Sequence, residues 1–354
     1  MNNIRIKAFI LHKEGDLSMC EDSYAISLSS GRFAIADGLS NSYHPEFTAQ
    51  LLCRKFVDGA LDINDWDNAF PVVLLNDVHP YWIKAVDEYE STLSGRKLGH
   101  AQVRRETLPA GASTFLGIEV DPVKGSVRGR YLGDSTLFTI SEGTWNVICS
   151  NNLDGQSENE VLYDNHPSCV TADGVLYGKW NEIDIPLEKG FMILATDGAA
   201  EWIQSELQNG NPVADQLWAL DDHDTFVDLV AAAREHQKME DDITLIILKI
   251  DELPAGGYEP VWTDVFPAIT YFADQFPDPD SPSEEIATAE EPDFTDINDK
   301  IENDDPLECQ NPQSAEDVGV SQEYKPEFVK ISPLRNFLFP RVPFFDKLFG
   351  KINK

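Results

Sequence analysis

Cysteine and long apolar runs are both scarce in this sequence. The five cysteines are odd in number and none lies in a Cys-x-x-Cys spacing, which argues against a disulfide framework or a zinc site and fits a reducing compartment. The first residues alternate like a strand and lack the apolar region of a signal peptide. No apolar run approaches the ~20 residues of a membrane-spanning helix. We therefore predict a cytoplasmic protein without a transmembrane segment.

Basic residues are scarce as well. Lysine and arginine number 27 against 62 aspartates and glutamates, which gives a formal charge of −35. A chain this acidic is not expected to bind nucleic acid through general phosphate attraction, and it favours cationic partners instead. The charge is uneven, because residues 251–330 contain 22 acidic and three basic residues, whereas residues 331–354 contain five basic and one acidic residue.

These shifts in composition predict three parts. Residues 1–250 carry the strand-like and helical apolar patterns of a folded domain. Residues 251–330 are rich in proline and acidic residues and are predicted to be a largely disordered linker, except that 261–276 is apolar enough to pack against the domain. Residues 331–354 are predicted to be a basic, Phe-rich docking segment. Its surface could be a membrane or a protein, and we favour a protein partner or the chain's own domain.

A short predicted hairpin gathers the first acidic residues. Glu21 and Asp22 open a β-rich run, a Ser-Ser-Gly turn follows, and a second β-rich run closes on Asp37 and Gly38. Two such runs around a turn indicate an antiparallel pair. Because the chain returns to the same edge of the sheet, we expect Glu21, Asp22 and Asp37 to be neighbours.

Strand-like runs that begin or end at acidic residues recur later in the chain. An apolar run closes on Asp197-Gly198, another opens on Asp241-Asp242, and a third strand-like run ends at Asp134. Converging carboxylates raise one another's pKa and need opposing charge. Oxygen ligands without nearby histidine or cysteine point to a hard cation, Mg²⁺ or Mn²⁺.

Six motifs in this order resemble the PPM (protein phosphatase 2C-like) family of metal-dependent serine/threonine phosphatases, of the bacterial type. They are Glu21-Asp22-Ser23, Asp37-Gly38, Gly111-Ala-Ser-Thr114, Gly133-Asp134-Ser135, Thr196-Asp197-Gly198 and Asp241-Asp242-Ile-Thr244. The resemblance covers residues from about 4 to 250. Central strand runs with helical runs on either side predict two stacked antiparallel sheets flanked by helices, and the family's fold, an α+β four-layer α-β-β-α sandwich, has this layering.

The resemblance also implies roles for the site residues. Asp37 would bridge two metal ions, the Gly38 carbonyl would bind one of them, and Asp197 and Asp241 would hold the other. Glu21 and Asp22 would act with Asp37 in catalysis through coordinated waters. Asp134 would help to hold a third ion. The family places its ligand at the position of Asp241, so Asp242 is expected to support it.

Two positions depart from the family pattern. Leu17 stands where the family usually has an arginine that binds the substrate phosphate, and a guanidinium is not replaced by leucine. Phosphate must then be held by the metals alone or by another cation. The candidates are His12, Lys13 and the basic cluster at residues 96–105, above all Arg104 and Arg105. Leu39 stands where some members have a histidine, for which His44 is an alternative.

The sequence thus predicts a metal-dependent phosphatase that hydrolyses phosphoserine or phosphothreonine in proteins through a metal-bridged water. The alternatives are a pseudophosphatase and a partner-docking regulatory module on the same fold. Leu17 favours a pseudophosphatase, whereas the complete set of carboxylates favours an enzyme.

Overall fold

The computed structural model describes residues 3–15, 17–150, 161, 163, 167–236, 238–253 and 261–266, and gives the backbone alone for 261–266. The strands are β1 (Asn3–Leu11), β2 (Ser23–Ser27), β3 (Arg32–Ala36), β4 (Ala112–Ser113), β5 (Phe115–Asp121), β6 (Ser126–Leu132), β7 (Thr136–Ser141), β8 (Thr144–Ile148), β9 (Cys169–Thr171), β10 (Leu176–Tyr177), β11 (Asn181–Pro186), β12 (Gly190–Ala195), β13 (Ile243–Ile250) and β14 (Val261–Phe266). The helices are α1 (Pro45–Val57), α2 (Trp66–Val73), α3 (His79–Ser91), α4 (Gly95–Thr107), α5 (Asp197–Gln208), α6 (Val213–Trp218) and α7 (His223–Arg234).

The first sheet has the strand order β14-β1-β13-β12-β7-β8. Its central strand β13 is a nearly continuous apolar run, and seven of its eight residues are buried. Such a run is typical of a strand that is covered on both faces. β13 pairs antiparallel with β1 on one side and with β12 on the other.

The second sheet has the order β11-β6-β5-β3-β2. β2 and β3 form the predicted antiparallel hairpin, in which Ser23 pairs with Ala36. β3 also contacts β12 and β13, and β2 contacts β13, so the two sheets stack face to face. A small third sheet, β10-β9-β4, completes the strand pairing in the described part of the chain.

Helices cover both outer faces of the stacked sheets. α1 packs on β2, β3 and β5 through fully buried residues such as Leu52 and Phe56. On the other side α5 and α7 pack on the first sheet, where the Phe226 ring stacks on Phe9 at 4.7 Å between centroids. Burial of these apolar side chains supplies the main driving force for the layering. The predicted α+β four-layer sandwich is confirmed.

Two stretches differ from the sequence-based expectation. The helical stretch predicted over 65–89 is divided, because α2 passes into a π-helical turn at Leu74–Val78 before α3 begins. Pro71 lies inside α2 and lacks the N–H that an α-helical ladder requires. The region 151–189, expected to be rich in turns, contributes β9, β10 and β11. β11 alternates at a sheet edge and buries only Ile183, which leaves a weak apolar signal.

The predicted division at residues 250, 251 and 331 stays a prediction, since residues 267–354 lie outside the described part of the chain. Within the predicted linker, the backbone of β14 pairs in parallel with β1. Among the described helices none is both long enough and apolar enough to cross a membrane.

Candidate metal and phosphate site

The strand register brings the acidic motifs of both sheets to one end of the sandwich. Asp22 precedes β2 and Asp37 follows β3, next to the paired residues Ser23 and Ala36. In the other sheet Ala195 pairs with Leu245, so Asp197 lies beside the start of β13. Contacts of β2 and β3 with β13 then place the two acidic ends together.

Asp22 connects the two sheets. Its carboxylate accepts a hydrogen bond from the Thr196 hydroxyl at 2.7 Å, and that hydroxyl accepts one from the Thr244 N–H at 2.9 Å. Only 1% of Asp22 is exposed. Burial, followed by the charge of Asp242, raises the pKa of Asp22 well above its ordinary value.

Asp37 lies next to Asp22, and the charges of the two carboxylates affect each other. Burial raises the pKa of Asp37 as well, and the charges of Asp197, Asp22 and Asp134 raise it further. The cluster therefore favours bound protons, or other positive charge, over a full set of anions.

Hydroxyl side chains in and next to β4 fix the backbone of Asp37. Its N–H donates to the Thr114 hydroxyl oxygen at 3.0 Å, and its carbonyl accepts from the Ser113 hydroxyl at 3.0 Å. Thr114 is also hydrogen-bonded to the Ser135 hydroxyl at 2.8 Å. These hydrogen bonds fix the end of β3, where Asp37 lies.

Both Asp-Gly motifs need glycine for the same reason. A Cβ on Gly38 would lie 2.5 Å from the Glu21 carbonyl oxygen and 2.9 Å from the Pro45 Cβ. A Cβ on Gly198 would overlap the Asp242 carbonyl oxygen. In each case the backbone of the opposing acidic motif occupies the place of a side chain, so glycine permits the two motifs to approach.

Asp197 is the first residue of α5 and Asp241 lies across from it. Burial, followed by the charge of Asp241, raises the pKa of Asp197 to about 6, against a smaller opposing effect of the Gly198 N–H. The Asp241 side chain is 56% exposed and its Oδ1 accepts from Lys13 Nζ at 3.1 Å.

Asp242 supports the backbone around it. Its two carboxylate oxygens accept the N–H groups of Lys13 and Glu21, each at 2.8 Å. His12 Nε2 lies 3.7 Å from one of these oxygens. Both oxygens of Asp242 are thus engaged by the backbone, whereas the Asp241 side chain faces outward.

Glu21 and Asp134 lie at the margins of the cluster. The half-buried Glu21 accepts a hydrogen bond from the Ser40 hydroxyl and lies 3.8 Å from Lys13 Nζ, and burial raises its pKa. Asp134 is fully buried, and its carbonyl accepts from the Thr136 hydroxyl at 2.7 Å. Asp134 is close enough to Asp37 to raise its pKa.

Three of the predicted phosphate-binding cations are in different surroundings. Lys13 is at the site, where partial burial lowers its pKa but the hydrogen bond to Asp241 and the surrounding carboxylates outweigh this and raise it. Arg105 instead bonds to Asp87 at 2.7 Å and to Glu90 at 3.1 Å. Arg104 is exposed on α4.

His44, the alternative to the histidine replaced by Leu39, precedes α1 with a left-handed φ of 52°. Its Nδ1 lies 2.7 Å from Glu46 Oε1, and its ring stacks on Phe47. The imidazole therefore contacts residues of α1, the helix that it precedes.

Sequence reasoning missed two residues that contact the site. Tyr163 approaches the Thr136 hydroxyl at 3.2 Å, and burial raises its pKa, so it stays a neutral phenol. Arg234 donates to backbone carbonyls beside Asp241. Neither residue belongs to an acidic motif. Arg234 bonds to backbone atoms, which every residue has, so the sequence of the partner segment does not indicate the contact.

The donor chemistry fits a hard divalent cation. The clustered side chains offer carboxylate oxygens, which suit Mg²⁺ and Mn²⁺, and the raised pKa values of Asp22, Asp37 and Asp197 show that the cluster favours added positive charge. Within the described residues, no three His, Cys, Asp or Glu side chains are arranged as a complete metal site. The residue types therefore fit the metal, and the side chains would have to adjust around it.

Comparison with known proteins gives structural neighbours alone, since neither a protein-family model nor a curated protein matches the chain. The serine/threonine phosphatase PstP/Ppp of Mycobacterium tuberculosis is 12% identical with a TM-score of 0.45, and the match covers 71% of this chain and 100% of that one. Stp1 of Staphylococcus aureus is 14% identical with a TM-score of 0.44, covering 70% and 95%. These neighbours are serine/threonine phosphatases.

A third neighbour is the catalytic domain of PstP in complex with two manganese ions, at 14% identity and a TM-score of 0.43, covering 70% of this chain and 99% of that one. The solved structures that the chain resembles are thus of the kind that its motifs predict. At this identity and TM-score they carry no argument about activity, so we take the argument for function from the site itself.

Proposed function

We propose that this chain is a metal-dependent phosphatase acting on phosphoserine or phosphothreonine in proteins. The observation that carries the proposal is the cluster of Asp22, Asp37, Asp134 and Asp197, drawn from both sheets into one place where burial and mutual repulsion raise the pKa values of Asp22, Asp37 and Asp197. Such a cluster is costly for the fold unless it binds cations. Hydrolysis of a phosphate ester needs concentrated positive charge, which the bound cations would supply.

In this proposal Asp37, the Gly38 carbonyl, Asp197 and Asp241 would hold two Mn²⁺ or Mg²⁺ ions, and Asp134 would help to hold a third. The bound metals would supply a nucleophilic water at neutral pH and positive charge for the phosphoryl oxygens. Glu21 and Asp22 would accept hydrogen bonds from water at the site. Burial raises the pKa values of both groups.

Lys13 is the candidate for binding the substrate phosphate in place of the missing arginine. It lies against Glu21 and Asp241 and its ammonium is part-exposed, so it can reach an anion bound beside them. Arg105 would first have to leave Asp87 and Glu90. Arg104 is exposed and, in this proposal, would contact a more distant part of a protein substrate.

The substitution Asp37→Asn tests the proposal. A neutral amide cannot bridge two cations, so we expect Mn²⁺-dependent hydrolysis of an aryl phosphate and of a phosphothreonine peptide to be lost while the protein stays folded. Asp62→Asn is the matched control, because Asp62 is a surface residue that caps a short turn and accepts from the Asn64 N–H. Activity of Asp37→Asn within about tenfold of the parent, or ~1.4 kcal/mol in the barrier, would refute the assignment.

A pseudophosphatase is the second candidate, and Leu17 is the observation that favours it. Leu17 lies in the short turn Leu17–Met19 and brings no charge to the site. The same assay separates the two functions when combined with metal titration. Mn²⁺ binding by the parent without turnover of either substrate would indicate the pseudophosphatase.

A further inference from the structure

Arg234 makes three hydrogen bonds to backbone carbonyls at the edge of the candidate site. Its Nε donates to Met239 at 2.8 Å, its Nη1 to Lys13 at 2.9 Å and its Nη2 to Asp241 at 3.1 Å. These carbonyls belong to two separate segments, the turn after β1 and the turn before β13. A single guanidinium thus joins the segment of the candidate phosphate cation to that of a candidate metal ligand.

The helix that carries Arg234 is firmly anchored. Phe226 and Val230 of α7 are fully buried, and Arg234 follows Val230 by four residues, so it lies on the same helical face. Asp222 and Thr225 form a capping box at the start of the helix. The guanidinium is therefore presented from a rigid element rather than from a loop.

Lys13 is held on both sides of its backbone. Its N–H donates to the Asp242 carboxylate at 2.8 Å, and its carbonyl accepts from Arg234. With the backbone fixed in this way, the Lys13 ammonium lies 3.1 Å from the Asp241 carboxylate. The three hydrogen bonds of Arg234 form a clamp between the two segments. In the second segment Met239 is buried with a left-handed φ of 53°, a conformation that a non-glycine residue adopts at a cost. The bond from Arg234 helps to hold it.

We propose that Arg234 is a positioning residue that fixes Lys13 and Asp241 relative to each other. This inference rests on the proposed function, in which Asp241 is a metal ligand and Lys13 binds phosphate. Arg234 touches neither ion nor substrate. It acts through the backbone, and its planar fork of donors is what allows it to satisfy three carbonyls at once.

The test compares Arg234→Lys with the parent in the full-length protein. Lysine keeps the positive charge but loses the fork, so the clamp is broken without leaving a buried cavity. Arg5→Lys is the matched control, because Arg5 makes a two-bonded pair with Asp251 at the other end of β1. Two readouts are needed, namely amide hydrogen exchange without metal and Mn²⁺ affinity by calorimetry.

We expect Arg234→Lys to speed amide exchange at Lys13, Glu21 and Asp242 while the central strands keep parental rates. Mn²⁺ affinity should fall about tenfold, the scale seen when residues that orient metal ligands are changed. Arg5→Lys should show neither effect. Parental exchange at all three amides, faster exchange throughout the sheet, or unchanged Mn²⁺ affinity despite faster local exchange would each overturn the proposal.

The exchange readout needs neither metal nor turnover, so it separates the two proposals. If the parent binds no Mn²⁺ and hydrolyses no phosphate, the proposed function fails, and the exchange data alone decide whether Arg234 clamps the two segments. If the parent is active and Arg234→Lys matches it in both readouts, only the clamp fails.

Discussion

Asp197 illustrates at the residue scale how a functional group can weaken the fold that carries it. It is the first residue of α5, where the helix dipole favours a negative charge. Burial and Asp241 outweigh this effect and raise its pKa from 3.8 to about 6. Compared with the unfolded chain, the folded protein therefore favours the protonated form, and ionisation at neutral pH costs stability in the absence of metal.

Asp197→Asn is expected to stabilise the metal-free protein more strongly at pH 8 than at pH 5. A carboxyl whose folded-state pKa is raised contributes stability at low pH, and this contribution is lost as the pH rises from 3.8 through about 6. Asparagine mimics the protonated form, so it should remove the whole penalty above pH 6 and, at pH 5, only the part of the penalty that has already built up. The measurement is the melting temperature in EDTA at both pH values.

The gain at pH 8 should be a few degrees, together with loss of the metal-dependent activity. Asp62→Asn is the contrasting control. Hydrogen bonds from Asn64 lower the pKa of Asp62, so its ionised form is already favoured and no gain is expected. A lower melting temperature for Asp197→Asn at pH 8 would contradict the account.

At the scale of the secondary-structure elements, the site depends on how closely strand ends and helix starts approach. Gly198, the second residue of α5, lies directly against the Asp242 carbonyl, and Gly38, just after the hairpin, lies directly against the Glu21 carbonyl. Through the first contact α5 lies against the start of β13. Through the second, the end of the hairpin lies against the segment that precedes β2. The Asp-Gly dipeptides are therefore packing requirements as well as sources of ligands.

Gly198→Ala is expected to lower both stability and activity. The new Cβ would meet a backbone oxygen, which cannot rotate away, so α5 and β13 must separate at the site. Overpacking of this kind costs about 1–3 kcal/mol. Denaturant unfolding and the Mn²⁺-dependent assay together measure the effect.

Gly99→Ala serves as the control for Gly198→Ala. Gly99 lies inside α4, and a Cβ added there would have no atom within 4 Å, while alanine in a helix interior is favoured over glycine by up to ~1 kcal/mol. This variant should be slightly stabilised and fully active. Equal behaviour of the two variants would show that the contact at Gly198 relaxes without cost.

At the scale of the whole molecule, the first sheet continues beyond the predicted domain end. β14 adds a parallel edge strand to β1, from Asn3 paired with Val261 to Lys7 paired with Phe266. An uncovered edge strand exposes unpaired backbone groups and invites association with other chains. β14 therefore protects β1, and residues 261–266 belong with the sheet.

A chain that ends at residue 253 should be less soluble and melt at a lower temperature than one that ends at residue 270. The shorter chain lacks β14 and exposes the β1 edge, whereas the longer one keeps the parallel pairing. Light scattering at increasing concentration and thermal melts of both chains, beside the full-length protein, measure the difference. Identical behaviour would show that β14 contributes nothing to the stability of the sheet.

The sequence by itself determined the layering and the chemistry of the site. Mostly apolar runs such as that of β13 indicated strands, and their place between helical runs indicated the layering. Glu21, Asp22, Asp37, Asp197 and Asp241 each stood at a predicted strand end. Local patterning carries this information because the side-chain period and the turn residues act over a few positions. The identity of the donors then pointed to a hard cation.

Only the tertiary structure decided how the acidic segments are held against one another. Nothing in the pattern around Arg234 shows that it reaches the carbonyls of Lys13 and Asp241, and nothing near Asp242 shows that its oxygens accept the N–H groups of Lys13 and Glu21. β14 escaped prediction as a strand of the sheet for a similar reason. Contacts between distant segments, made through backbone atoms common to all residues, are fixed by packing of the whole chain.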